Sequence, residues 1–403
     1  MRYLFSLLCF ASYSFMQDSF NTKPKAYQDP PIIDLTINYP ERNIFVDKYV
    51  VDWDFIPLKT TTDVLDDRYF RIVFASYNRI VGYNSEKGDI FIFDMDGKLI
   101  SSFNHQGNSE IGYLDITSLV YDENRKEIFV SDAKNNQCLV YSENGKFLRQ
   151  FYYPKNSHCG KDMFNFDDQT LLGYVSYFPY GDQMDVVEIN QKKPYLFLSK
   201  EDGSIVSRLD ILFPKRIPVS GHVIEMDSGL GSQKLNMPTN NIDKNGQNFI
   251  ICDRSSDTIY LLTQDKKLTP LFVRTPSVFD TKKVIYLSVV FNTDKFVVFS
   301  TSFYDFTQAR ERIRAGQSYG HIFTTNMFAY DIETGQISKP INFPRSLTAD
   351  KPFNTCVLCW ANSRFIDLLI ESRFINERKF KQISQTIKDD EEVNSVVQII
   401  KFR

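Results

Sequence analysis

Two fourteen-residue stretches constrain this chain more than any other feature. IFIFDMDGKLISSF, ending at Phe103, and CLVYSENGKFLRQF, ending at Phe151, align without a gap 48 residues apart. Each opens on a run of four apolar residues, breaks at a polar-Gly turn around Gly97 or Gly145, and continues into a second strand-like stretch ending in Phe. In the second copy the turn is Asn144-Gly145. A tight hairpin turn needs positive φ at its central positions, which Asn and Gly tolerate best, so the pattern predicts two antiparallel strands. Upstream, EIFV alternates and stops at Asp132, which extends the unit to a three-stranded meander over Glu127–Phe151. So small a sheet buries only part of its apolar surface. Copies must stack, and a closed stack of such sheets is a β-propeller.

Looser copies follow. KPYLFLSKEDGSIVSRL turns at Gly203, NFIICDRSSDTIYLLTQDKKLTPLF at Lys266 and NMFAYDIETGQISKPINF at Gly335, so successive turns stand 48, 58, 63 and 69 residues apart. Constant hairpins with growing spacers are what insertions between the blades of a rigid ring produce. A short polar residue precedes three turns by 13 positions: Asn84 before Gly97, Asp132 before Gly145 and Asp253 before Lys266. Its side chain is expected to accept N–H groups of the turn that follows and so hold neighbouring strands in register. The 35 Phe and 22 Tyr, against 17 Gly, suit half-buried strands. One strand near each end lacks a local partner, Ile44–Leu58 and Val393–Phe402, and pairing the two would close the ring. Ahead of the last strand, Phe380, Ile383 and Ile387 recur at helical spacing. The expectation is an all-β, six-bladed β-propeller with a small C-terminal helical segment before the closing strand.

The first residues, MRYLFSLLCFASYSFM, place Arg2 ahead of an apolar run from Tyr3 to Phe10, followed by small residues. The run is shorter than the roughly 20 residues a membrane-spanning helix needs. Residues 1–16 therefore read as a secretory signal, 17–42 as a polar, Pro-rich tether or irregular edge, and 43–403 as the propeller. Export to a periplasm, a cell surface or the medium follows. Cys9 raises a lipid anchor as the one membrane contact, although Leu8 stands where a small residue normally precedes a lipidated Cys. Cys138, Cys159, Cys252, Cys356 and Cys359 are too sparse for a disulfide framework. Cys356 and Cys359 fall in a predicted strand, where residues three apart face opposite sides, so packing is expected of them rather than redox or zinc chemistry.

A net charge of −3, with acidic and basic residues spread along the chain, argues against a nucleic-acid partner. The chain carries no GxSxG elbow, HExxH pair or phosphate-cradling glycine loop. Its third copy has absorbed an aromatic insertion, and Tyr174, Tyr177, Phe178 and Tyr180 are candidate contacts for a protein or glycan ligand, because rings give contact area at low entropy cost. Four histidines, His105, His158, His222 and His321, sit in different blades or connections. Under an enzymatic reading His158, His222 and His321 are candidate ligands of a divalent metal such as Ca or Zn at the channel mouth; under a binding reading no cofactor is expected. Arg310, Arg312 and Arg314 lie in a charged segment that reads as a solvated helix face.

The stretch SDAKNNQCLVYSENGKFL closely resembles the NHL repeat, with Asp132, Asn135, Asn136, Val140, Tyr141 and Gly145 on its pattern. From about residue 44 onward the chain resembles bacterial exported six-bladed β-propellers. The likeness rests on FIPLKT in the early strand, the FDMDGKLISSF hairpin, the loop HQGNSEIGY and the closing VVQIIKFR. That loop keeps Gly107, Gly112 and Tyr113 of a GPGEY-like motif and lacks its Pro. The resemblance implies the fold and export. NHL-like rings include a metal-dependent lyase with channel histidines, so it also implies two functions: a non-catalytic binding or scaffold ring, or a metal-dependent lyase or lactonase-like enzyme.

Overall fold

Antiparallel sheets account for nearly all regular structure in the computed structural model, which describes residues 30–42, 49–60, 69–154, 160, 162–177, 192–213, 215–217, 220–225, 232–236, 241–280, 285–304, 311, 315–316, 323–340, 351, 355–361, 385 and 393–403. The chain begins with β1 (Ile32–Asp34), β2 (Glu41–Arg42) and β3 (Val50–Lys59). Blade 1 follows as β4 (Phe70–Ala75), β5 (Ile80–Asn84), β6 (Ile90–Phe93) and β7 (Leu99–Phe103), and blade 2 as β8 (Ser118–Asp122), β9 (Glu127–Asp132), β10 (Gln137–Ser142) and β11 (Phe147–Tyr152). Blade 3 is β12 (Asp162–Asn165), β13 (Thr170–Tyr174), β14 (Tyr195–Ser199) and β15 (Ile205–Arg208), after which β16 (Ser220–Glu225) and β17 (Ser232–Asn236) form a separate hairpin. Blade 4 is β18 (Ile242–Asn245), β19 (Asn248–Ile251), β20 (Thr258–Leu262) and β21 (Leu268–Thr275); blade 5 is β22 (Ile285–Asn292), β23 (Phe296–Tyr304), β24 (Phe323–Asp331) and β25 (Ile337–Pro340). The sixth sheet joins β26 (Thr355–Ala361) to β27 (Val393–Phe402) and β27 to β3.

The repeating unit has four strands, not three. Its extra inner strand, SLVYD in blade 2, is buried along nearly its whole length and so lacks the alternation that marks a half-exposed strand. The two ends of the chain meet as expected: β27 pairs antiparallel with β3, Val397 opposite Ile56 and Phe402 opposite Val50. The helical segment expected before β27 lies outside the described residues except for Gln385, which is helical but by itself does not establish the segment.

The polar residues 13 positions before the turns act as read from the sequence. Asn84 Oδ1 accepts the Glu86 and Lys87 N–H groups at 2.9 Å each, Asp132 Oδ1 accepts Lys134 N–H at 3.1 Å, and Asp253 Oδ1 accepts Ser255 N–H at 2.8 Å.

Apolar seams lie between successive blades and carry the ring around. Ile90, Ile92, Leu119, Val130 and Tyr141 fill the seam between blades 1 and 2; Phe129, Val140, Leu171 and Leu198 fill the next. The last two seams bracket the closure, with Phe291, Phe296, Ile400 and Phe402 on one side and Ile56, Leu58, Phe70, Phe91 and Val397 on the other. Three of the turn glycines are also packing devices. Gly97, Gly145 and Gly203 have φ of 76°, 79° and 70°, and each sits on the outer strand of the blade before it, against Pro57 of β3, Phe103 of β7 and Phe151 of β11. The equivalence places β3 as the outer strand of blade 6. Ion pairs rivet the same junctions, Arg79 to Glu143 at 2.7 Å and Arg125 to Glu201 at 2.5 Å. A fully buried Lys200 Nζ meets Asp122 at 2.5 Å.

Alternating strand direction sorts the connections onto two faces. Within blades 1 to 5, those after first and third strands are turns of two to five residues. The long connections, 175–194, 209–241, 305–322 and 362–392, all leave after second or fourth strands, on the opposite face. We call this the insertion face. Residues 30–42, ahead of the ring, run along its rim as a strap: β1 adds in parallel to β21 and β2 to β25, outside blades 4 and 5.

Candidate functional site over blades 3 and 4

Among the described residues, the insertion face over blades 3 and 4 includes the start of the aromatic insertion that leaves β13. Tyr174 is the last residue of β13, opposite Tyr195 at the start of β14, and both side chains are fully buried with ring centroids 5.0 Å apart. Arg216, from the connection beyond β15, donates from Nη2 to Tyr174 Oη at 2.8 Å and to the Val175 carbonyl at 3.2 Å. Its guanidinium carbon stands 5.5 Å from the Tyr174 ring, 5.7 Å from Phe213 and 5.9 Å from Tyr177, so three aromatic rings surround one cation. Tyr195 Oη donates to Asp253 Oδ2 at 2.9 Å, and the Ile217 N–H donates to Ser255 Oγ at 2.9 Å. The connection after blade 3 is thereby bolted to the strand ends of blade 4.

Burial, with the Asp253 carboxylate nearby, pushes the Tyr174 and Tyr195 phenols well above their ordinary range. Both are neutral hydrogen-bonding groups at physiological pH. Above this frame the surface is part apolar and part cationic. Leu212 is 56% exposed, and Lys215 Nζ lies 5.2 Å from the ring of the exposed Phe279. Such a surface can bind by contact area and positive charge; it brings no activated nucleophile to solvent among the described residues.

The residues predicted from sequence divide. Tyr174 belongs to the supporting frame, and the half-buried Tyr177 reaches the surface beside Arg216, while Phe178 and Tyr180 lie outside the described residues. His158 and His321 also lie outside them, and of His222 only the backbone, on β16, is described. Among the described residues no three His, Cys, Asp or Glu side chains gather closely enough to hold a metal ion. His105 is a packing residue: its ring stacks 5.0 Å from Tyr141 and its Nε2 is 2.8 Å from the Gly145 carbonyl. Arg216 went unread in the sequence. Its one signal is a cation inside FPKRIPV, a short apolar stretch that would otherwise want no charge.

The same ring occurs in solved structures. A presumptive exported protein of Bacteroides fragilis superposes with a TM-score of 0.57 at 13% identity, covering 92% of this chain and 99% of that one. A DUF4221-family member from Bacteroides vulgatus gives 0.48 at 9% identity over 88% and 97% of the two chains, and virginiamycin B lyase from Staphylococcus aureus gives 0.38 at 10% over 87% and 99%. At these identities the likeness concerns the fold alone. No curated protein matches the chain in sequence. A family profile does, over residues 30–401, which span the rim strap, every blade and nearly all of the closing strand. This six-bladed propeller therefore belongs to the family described as Domain of unknown function DUF4934.

Proposed function

We propose that the protein is an exported, non-catalytic binding propeller whose protein or glycan ligand is held on the insertion face over blades 3 and 4. One observation carries the reading: the connections of 18 to 33 residues all leave from strand ends on one face, while the turns of blades 1 to 5 on the other have two to five. A ring that elaborates one face alone presents that face to a partner. The Arg216 frame lies beneath this face and supports Tyr177, Leu212 and Lys215 at its surface. Export is supported by the signal-like first 16 residues and by the description of the Bacteroides fragilis protein with this fold. The NHL-like pattern in blade 2 fits the same class of ring.

The test is a glycan-array and pull-down screen with the chain lacking residues 1–16. Joint Tyr177→Ala, Leu212→Ala and Lys215→Ala changes are expected to weaken capture about tenfold or more. Tyr77→Ala, a 70% exposed aromatic on the turn face, is expected to leave it unchanged. Equal loss from the turn-face change would overturn the assignment.

A second reading is a metal-dependent lyase or lactonase-like enzyme. It rests on His158, His222 and His321, which lie in sequence between β11 and β12, on β16, and between β23 and β24, one for each of three separate connections. Elemental analysis of the purified protein decides between the two: stoichiometric Ca or Zn, lost on His222→Ala, supports the enzyme.

A further inference from the structure

We propose that an open cavity of about 450 Å³ at the edge of blades 1 and 2 is a binding site for a neutral saccharide. It goes beyond the reading above, since it stands on other blades and its occupancy does not depend on the surface over blades 3 and 4. One wall is the loop between blades 1 and 2, bearing Asn108 and Glu110; the other is the pair of outer strands of blade 2, bearing Gln137, Gln150 and Tyr152. Asn135 closes one end. Gln137 and Tyr152 are direct cross-strand partners, so both side chains rise from the same face of the sheet.

The chemistry of the lining selects the ligand. Gln137 is 8% exposed and lines the cavity, and among the described residues its side-chain amide makes no hydrogen bond. Open to the cavity, this amide is free to bond a polar group that enters it, as donor and as acceptor. Asn108 and Gln150 supply further amides, and the Asn135 amide nitrogen is already committed to Asp132 at 2.9 Å, which leaves its oxygen to accept. Amides match the paired donor and acceptor character of vicinal hydroxyls. Tyr152, 63% exposed, offers a flat apolar face to the C–H side of a pyranose ring. Glu110 is the lone charged side chain in the lining, so an anionic ligand meets repulsion with no cation to offset it.

The wall is preformed. Gly107 N–H donates to the Tyr113 carbonyl at 3.0 Å and Tyr113 N–H to that of His105 at 3.2 Å. Tyr141 Oη donates to the Ile111 carbonyl and Tyr113 Oη to that of Gly88, both at 2.6 Å. A site that needs no ordering on binding keeps more of its contact energy.

Isothermal titration and saturation-transfer NMR of the chain lacking residues 1–16 test the proposal, against neutral gluco-, manno- and galacto-oligosaccharides and a uronic-acid oligosaccharide. Saturable binding of at least one neutral sugar is expected, weakened about tenfold by Tyr152→Ala and again by Gln150→Ala. Both positions are exposed, so unchanged thermal midpoints will show that the variants fold; Tyr77→Ala, on the other face, is expected to bind as the parent does. No neutral sugar bound, preference for the uronic acid, or binding indifferent to both substitutions would each overturn it.

Discussion

At the scale of single residues, the turn glycines show how one amino acid can be required for two separate reasons. Gly97 and Gly335 share the left-handed backbone, with φ of 76° and 71°. A Cβ at Gly97 would stand 1.8 Å from the Pro57 carbonyl oxygen, which belongs to a sheet and cannot retreat, whereas at Gly335 its nearest neighbour is Tyr330 Oη at 3.7 Å. Gly335→Ala should therefore cost only the backbone term, about 1 kcal/mol. Gly97→Ala should cost at least about 3 kcal/mol, since the blade junction must also shift. Urea unfolding of the two variants checks this, and equal losses would show that the junction contributes nothing. Lys266 is informative beside them. It holds φ of 61° without being glycine, and its Nζ lies 4.5 Å from the Phe197 ring, so a long side chain is tolerated where the neighbouring blade leaves it an aromatic face. The glycines and the Asn-Gly turn were legible from sequence because their constraint is local. Arg216 was not, since Tyr174, the partner that makes a buried cation reasonable, lies 42 residues away.

At the scale of elements, the N-terminal strap departs most from the appearance of its sequence. Residues 30–42 alternate Ile33, Leu35, Ile37 and Tyr39 with polar residues between prolines, and Ile33 is fully buried in the seam of blades 4 and 5 with Phe272, Leu287 and Phe299, while Leu35 and Tyr39 pack against the same cluster. Around it the backbone bonds continuously: Val273 N–H donates to the Pro31 carbonyl at 3.0 Å, Leu35 N–H to Thr275 at 2.8 Å and Lys339 N–H to Pro40 at 2.9 Å. The strap so covers two outer edges that would otherwise present unpaired strand groups. Ile33→Ala is expected to lower stability by about 2–4 kcal/mol. Hydrogen exchange should rise first at the amides of Val273 and Lys339, which the strap protects; uniform exchange across all blades would instead mean that the strap is bound no more tightly than a loose tail. The alternation of Ile33, Leu35, Ile37 and Tyr39 is a strand signal, but it is short and flanked by Pro30, Pro31 and Pro40, which is why sequence reading left the segment as a tether or edge.

At the scale of the whole molecule, stability is held by closure. No seam between blades is large, but around a closed ring every blade has two neighbours, and the joint of β27 with β3 supplies the last of them. Phe402 packs 5.5 Å from Phe291 and 5.2 Å from Phe296, so the final residues reach across to blade 5 as well. Lys351, also fully buried, adds a bond at 2.8 Å to Asp243 of blade 4, and Asp243 in turn accepts the Asn292 N–H of blade 5 at 2.8 Å. A chain ending at residue 392 is expected to lose its single cooperative unfolding transition and to bind hydrophobic dye, because blades 5 and 1 would each expose the seam that β27 covers. A truncated chain that kept the parent's midpoint and slope in urea would show that the ring does not depend on its clasp.

What the sequence determined alone was whatever repeats or acts over a few residues: hairpins, turn positions, the register-holding Asn84, Asp132 and Asp253, and the two unpaired end strands from which closure follows. These are short-range consequences of φ preference, alternation and hydrogen-bonding geometry, and they survive without knowledge of the neighbours. Only the tertiary structure decided which face collects the insertions, that Tyr174 supports the surface rather than forming it, that the strap is part of the wall, and that Gln137 opens into a cavity. Each of these depends on strands brought together from distant parts of the chain, and burial is a property of that meeting, which no local pattern encodes.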